Sequence, residues 1–188
     1  MTVRKAATWG LLAAWAVHET EEAVVMARWL RANLPKLRER FPKVPDSTWE
    51  RLERDMTPAR VRLAIGLMGV LMAAASADGA RTGGRSFLYR TALAAYGWHG
   101  VIHLAQTAAY RGYTPGAATA PVVVVPFAVW AWRQLRKSGI DGELGRTSAA
   151  ALVLFTGGLA ASHAIAARVL GQHGAGGRPP GEDAPRPT

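Results

Sequence analysis

The run His18-Glu19-Thr20-Glu21-Glu22 constrains this chain more than any other feature. It places one histidine and three carboxylates inside a segment that is otherwise apolar. Ala6 to Val17 precede it and Ala23 to Ala27 follow it. An ionisable group at bilayer depth costs roughly 3 kcal/mol or more, so such groups mark functional sites when they fall within a span. A plainer reading puts the run at headgroup level, because the apolar residues after it end at Arg28. The apolar character that resumes after Glu22 completes a spanning length and favours the buried reading. It also argues against a cleaved signal peptide, which Arg4, Lys5 and the sequence Ala14-Trp15-Ala16 imitate.

The rest of the chain repeats the pattern. Across 188 residues, apolar blocks alternate with short arginine-rich blocks. A helix needs about 20 apolar residues to cross a bilayer, so this is the arrangement of a polytopic membrane protein. The expected fold is all-α: an integral membrane bundle of about five transmembrane helices with a polar centre. The spans run at 6–30, 61–77, 87–110, 117–135 and 148–170. Spans two and five are rich in small residues, which let helices approach closely in lipid. Pro121 and Pro126 should kink span four. Residues 1–173 are read as one membrane-embedded domain. Within it, 31–60 reads as an interfacial amphipathic segment, a helix or helical hairpin. Residues 174–188, rich in Gly and Pro, are expected to be disordered.

Charge and cysteine usage remove other classes. Cysteine is absent, which excludes disulfides, thiolate nucleophiles and Cys-based metal sites. The net charge of +10 would raise nucleic acid as a partner in a soluble protein. Here the positive residues fall between apolar blocks, where they meet anionic headgroups and fix topology. The expected partners are membrane lipids and an apolar substrate, with no nucleic acid. The 31–60 charges favour a cytoplasmic position for that segment, while Arg4, Lys5 and the Arg133–Lys137 cluster pull the other way.

Three apolar spans each carry a narrow polar stripe. Positions three and four apart share a helix face, so His18, Glu21 and Glu22 are expected to point together, with Glu19 rotated aside. In span three, His99 and His103 are four apart, and Tyr96, Gln106, Thr107 and Tyr110 continue their stripe. In span five, Thr156 and His163 share a face. Lipid offers no hydrogen-bond partners, so the stripes must face one another or a cavity. Two pairs at i, i+4 (His18 with Glu22, His99 with His103) can clamp one ion. Zinc is the first candidate, with iron or manganese as alternatives. Glu21, or otherwise Glu19, would then serve as general base, with Tyr96 close by. Tyr110 and Tyr113 read as interfacial belt residues, His163 as a packing histidine and Pro115-Gly116 as a turn.

The run HETEE, followed by His99-Gly100-Val101-Ile102-His103 and then Tyr113-Thr114-Pro115-Gly116 with Thr119, resembles the HXXEE family of small bacterial membrane proteins. The resemblance covers roughly residues 10 to 135. It implies a helical integral membrane fold, a place in the bacterial cytoplasmic membrane and a metal-dependent enzyme, and it implies no particular substrate. Three functions remain open from the sequence. The first is a metal-dependent membrane hydrolase acting on a lipid or other apolar substrate. The second is a metal-free acid–base isomerase or cyclase acting on a polyprenyl or sterol-like substrate. The third is a proton or metal transporter, against which the unequal spans and the lack of an inverted repeat count.

Overall fold

The structure, a computed structural model, describes residues 5–140 and 144–175. These form six α-helices and one π-helical turn, with no strand among the described residues. The elements are α1 (Lys5–Arg40), α2 (Asp46–Asp55), α3 (Pro58–Arg81), α4 (Phe87–Tyr110), the π turn (Ala120–Val124), α5 (Val125–Lys137) and α6 (Leu144–Ala175). Helix α1 packs most extensively on α3, while α6 rests on both α3 and α4.

Local sequence explains where the elements start and stop. Thr57 caps α3 by accepting a hydrogen bond from the Arg60 backbone N–H, with Pro58 at the first helical position, where its missing N–H costs nothing. Ser86 caps α4 in the same way through Tyr89 N. Between them the chain reverses through Gly83 and Gly84, both at positive φ. The two helices then approach closely, because a side chain at Gly79 would collide with the Tyr89 ring. The fully buried Tyr89 donates its hydroxyl proton to Ala7 O at 2.6 Å, tying α4 to the start of α1.

The first span is longer than expected. Helix α1 continues unbroken through Pro35 to Arg40, so only the remainder of 31–60 forms separate structure. The reason is packing. Leu30, Leu34 and Leu37 line up three and four apart and bury against Trp49 of α2 and Tyr110 of α4. Arg40 Nε donates to Ala109 O at 2.8 Å, satisfying one of the open carbonyls at the end of α4. Tyr110, expected at a membrane interface, is instead buried and donates to Asn33 Oδ1 at 2.6 Å. The turn and α2 fold back along the end of α1, as the hairpin form of the sequence reading anticipates.

Pro121 and Pro126 act as expected, by a specific means. Neither can donate a ladder hydrogen bond, and the helix accommodates them by widening. Val125 N bonds back to Ala120 O, five residues earlier. Such single π turns collect at functional sites, and this one leans on Gly100 of α4, where a Cβ would strike Val124.

Two helices, at 58–81 and 148–170, are long and apolar enough to cross a membrane by length and composition. Of the tail expected to be disordered, 174 and 175 are instead the helical end of α6, and the rest lies outside the described residues.

Candidate metal centre

Successive residues on a helix turn by about 100°. Measured from His18, Glu22 therefore lies about 40° to one side, Glu19 about 100° to that same side and Glu21 about 60° to the other. His18 and Glu22 form the centre of the motif's face, and the two remaining glutamates flank it. Glu21 lies with His18 as its spacing anticipates, since both reach Thr119, while Glu19 is not turned away from the site but lines the cleft beside Glu22.

The centre is closely knit. His18 Nε2 lies 3.0 Å from His99 Nε2, and His103 Nε2 lies 2.9 Å from the same atom. Glu22 Oε1 is 3.2 Å from His103 Nε2. One ligand atom from each of the four residues falls within 4.8 Å of every other. His18, Glu22 and His103 are buried. The expected convergence of His18, Glu22, His99 and His103 is therefore present.

On the Glu21 side lies the loop between α4 and the π turn. Glu21 Oε1 accepts from the Tyr113 hydroxyl at 2.6 Å and from Ala118 N at 3.3 Å. Glu21 Oε2 accepts from Thr119 N at 2.9 Å and from the Thr119 hydroxyl at 2.6 Å. Desolvation and the neighbouring carboxylate push the Tyr113 hydroxyl up to about 12, so it stays protonated as a donor. Thr119 Oγ1 also lies 2.6 Å from His18 Nδ1. The threonine has one hydroxyl proton, and it goes to Glu21. The oxygen can therefore only accept from His18, which fixes the proton on Nδ1 and leaves Nε2 with a bare lone pair aimed at the cluster.

On the Glu19 side lies an apolar cleft of about 540 Å³. Glu19, Glu22, His99 and His103 share its wall with Met26, Leu30 and other apolar residues. Tyr96 is buried, its ring edge-on to His18 at 6.4 Å between centroids, and its hydroxyl has no hydrogen-bond partner among the described residues. His163 lines the same cleft. Thr156 does not join it. It is exposed and bonds back to Leu152 O at 2.6 Å on its own helix.

The cluster also fits a metal by proton counting. His18 Nε2 has no proton to give, and Glu22 Oε1 is buried 3.2 Å from His103 Nε2. With His99 and His103 also deprotonated at Nε2, the three imidazole nitrogens and the carboxylate oxygen would present their lone pairs to one ion. A tetrahedral zinc with bonds of 2.0–2.1 Å sets its ligand atoms about 3.3 Å apart, close to the spacings found here. The conserved pattern of a metal-bound histidine whose other nitrogen is held by an oxygen is met by His18 and Thr119.

Two participants were hidden from sequence reasoning. Thr119 appears there only as a residue near the turn, because nothing in its spacing says that the loop returns to α1. Gly116 reads as a turn residue, and its φ of +82° agrees. Its second constraint is contact: a Cβ would lie 2.5 Å from His103 Nδ1, so only glycine lets the loop rest on that ring.

Fold and site together define an α-helical bundle built around a buried cluster of three histidines and a glutamate. Residues 9–131 match the model of the family described as proteins of unknown function with an HXXEE motif, and the chain belongs to that family. His18, Glu21 and Glu22 are the lettered positions of that motif, and Glu19 occupies one of its variable ones. No curated protein and no solved structure matches the chain.

Proposed function

We propose that this chain is a metal-dependent hydrolase embedded in a membrane, acting on a lipid or other apolar substrate. The observation that carries the reading is the convergence of His18, Glu22, His99 and His103 on one point in the wall of an apolar cleft. Those four residues would hold a divalent cation, zinc by preference for three nitrogens and one oxygen. Such an ion, when bound, supplies Lewis acidity toward a carbonyl or phosphoryl oxygen and toward water.

The chain's own residues do the rest. Glu21 is saturated by four donors, so its part is to hold Thr119, and through it the His18 ring. Glu19 is the buried carboxylate facing the cleft outside the ligand set. It takes a proton from the attacking water and returns it to the leaving oxygen as the ester bond breaks. The Tyr96 hydroxyl, buried without a partner among the described residues, is placed beside His18 to donate to a substrate oxygen.

The membrane setting is supported by what the helices turn outward. Val17 and Val24 of α1, Val70 of α3, Val122 of the π turn and Val153 of α6 are all more than half exposed, up to 72% for Val153. Apolar side chains turned outward from four elements suit a lipid-facing surface. Helices α1 and α4 carry the inward-facing polar groups of the centre within otherwise apolar stretches. With the π turn and α5 counted as one, five helical segments are long enough to span about 30 Å or nearly so.

The test is elemental analysis of detergent-purified protein. The expected result is about one equivalent of a transition metal, lost in His103→Ala. A wild-type protein that is active, holds no metal and ignores chelators would overturn the reading. It would favour the acid–base isomerase, for which the adjacent buried Glu19 and Glu22 provide the acid.

A further inference from the structure

The cleft extends far beyond the centre. On α1 alone its wall runs from Glu19 through Met26 and Leu30 to Leu37. At 1.5 Å per residue those eighteen steps cover about 27 Å. The cluster of His99, His103, Glu19 and Glu22 lies at one end, and Gln106, Tyr110 and His163 are further polar groups in an otherwise mostly apolar wall. The other end is closed by Phe41 and by Trp49, Leu52 and Met56 on or beside α2. A cleft about 27 Å long with mostly apolar walls matches the shape of an extended acyl chain.

We propose that the cleft binds a single long acyl chain, with its carboxyl-derived group at the His/Glu centre and its methyl end beneath α2. The proposal deepens the hydrolase reading, and it rests on that reading only for which end of the chain reacts. Helix α2 then has a definite task. It presents Trp49 and Leu52 inward as the floor of the chain site while its charged residues face out. A chain entering from the bilayer exchanges contacts with lipid tails for contacts with the apolar wall, so its recognition rests on shape and on the polar centre.

The experiment uses palmitic acid carrying a diazirine at its methyl end, photolysed on the full-length purified protein and mapped by peptide mass spectrometry. Adducts are expected at Leu37, Phe41, Trp49 and Leu52, suppressed by excess unlabelled palmitate but not by a sterol. Leu52→Trp, at a half-buried position, should fill the floor and lower the adduct yield there. Ala64→Trp should do the same from α3. Adducts spread over the outward-facing Val70 and Val122, or suppression by the sterol, would overturn the proposal. Metal content is measured on the same sample. Saturable labelling of the floor without metal would uphold the chain site and overturn the hydrolase reading. Metal without labelling would do the reverse.

Discussion

Glu19 and Glu21 stand on either side of the same pair, His18 and Glu22, yet their surroundings are opposite. Glu21 accepts four hydrogen bonds from a loop 92 to 98 residues away in sequence. Glu19 is buried against an apolar cleft. A carboxylate whose lone pairs are filled by fixed donors is a poor proton shuttle and a good anchor. One that faces substrate space with few partners is the reverse. Two identical side chains on one helical turn are thus separated by the direction in which each leaves the helix.

The largest expected effect comes from exchanging the two. Glu19→Gln should keep the metal and lower turnover by roughly 10²–10⁴-fold, the usual range for loss of a general base. Glu21→Gln should act through the metal instead, weakening its binding by roughly 10–100-fold, with most turnover restored at saturating metal. Metal titration paired with kcat measurement checks both. If Glu21→Gln loses turnover at full metal occupancy while Glu19→Gln retains it, the assignment of the two flanks is wrong.

Gly116→Ala should be nearly as damaging, and for reasons confined to the Glu21 side. The new Cβ meets the His103 ring while φ stays in the left-handed region. Left-handed strain alone costs roughly 1–2 kcal/mol, and moving His103 displaces a ligand. Calorimetric metal binding should show a large loss of affinity, and thermal unfolding a smaller fall in Tm. An unchanged metal affinity would mean that the loop does not seat His103.

How much of this was legible in the sequence follows the same division. The centre was readable because its parts lie on helices, where the 3.6-residue period turns spacing into direction. His18 with Glu22 and His99 with His103 each announce a shared face, and an apolar context forces such faces together. The all-α fold was readable for the same reason. The flanks were not readable, because Glu21 is defined by an irregular loop whose path no period encodes. The length of α1 was missed because the charged, polar composition of 31–60 set that segment apart from the first span. Tertiary burial of Leu34 and Leu37 overrides those local signals. Thr156 was placed in a stripe with His163 by spacing alone, but it satisfies its hydroxyl within its own helix and turns outward.

A smaller effect isolates the relay from the loop. Thr119→Val keeps the shape of the side chain but removes the hydroxyl that holds His18 Nδ1 and Glu21 Oε2. Metal affinity should fall by roughly 10-fold, the lower end of the range for outer-shell partners. Thr119→Ser, which keeps the hydroxyl, should recover it. Nitrogen-15 spectra of labelled histidine in the metal-free protein should show the His18 Nδ1–H tautomer in the wild type and a mixture in Thr119→Val. Equal affinity in the valine and serine variants would leave His18 oriented by packing alone.

The smallest effect is expected at Tyr113, which reaches Glu21 from the more exposed end of the loop. Tyr113→Phe removes one donor of four from Glu21. A hydrogen bond to a charged group contributes roughly 1.5–3 kcal/mol in general, and at a position nearly half exposed water replaces much of it. The remaining contacts from Ala118 and Thr119 keep the carboxylate in place, so the His18 ring should not move. Metal affinity should therefore change by only a few-fold, and the loop should become more open to limited proteolysis between Arg111 and Ala118. If Tyr113→Phe weakened the metal as much as Thr119→Val does, the anchor would depend on the whole loop acting as a unit. The direct line from Glu21 through Thr119 to His18 would then lose its special place.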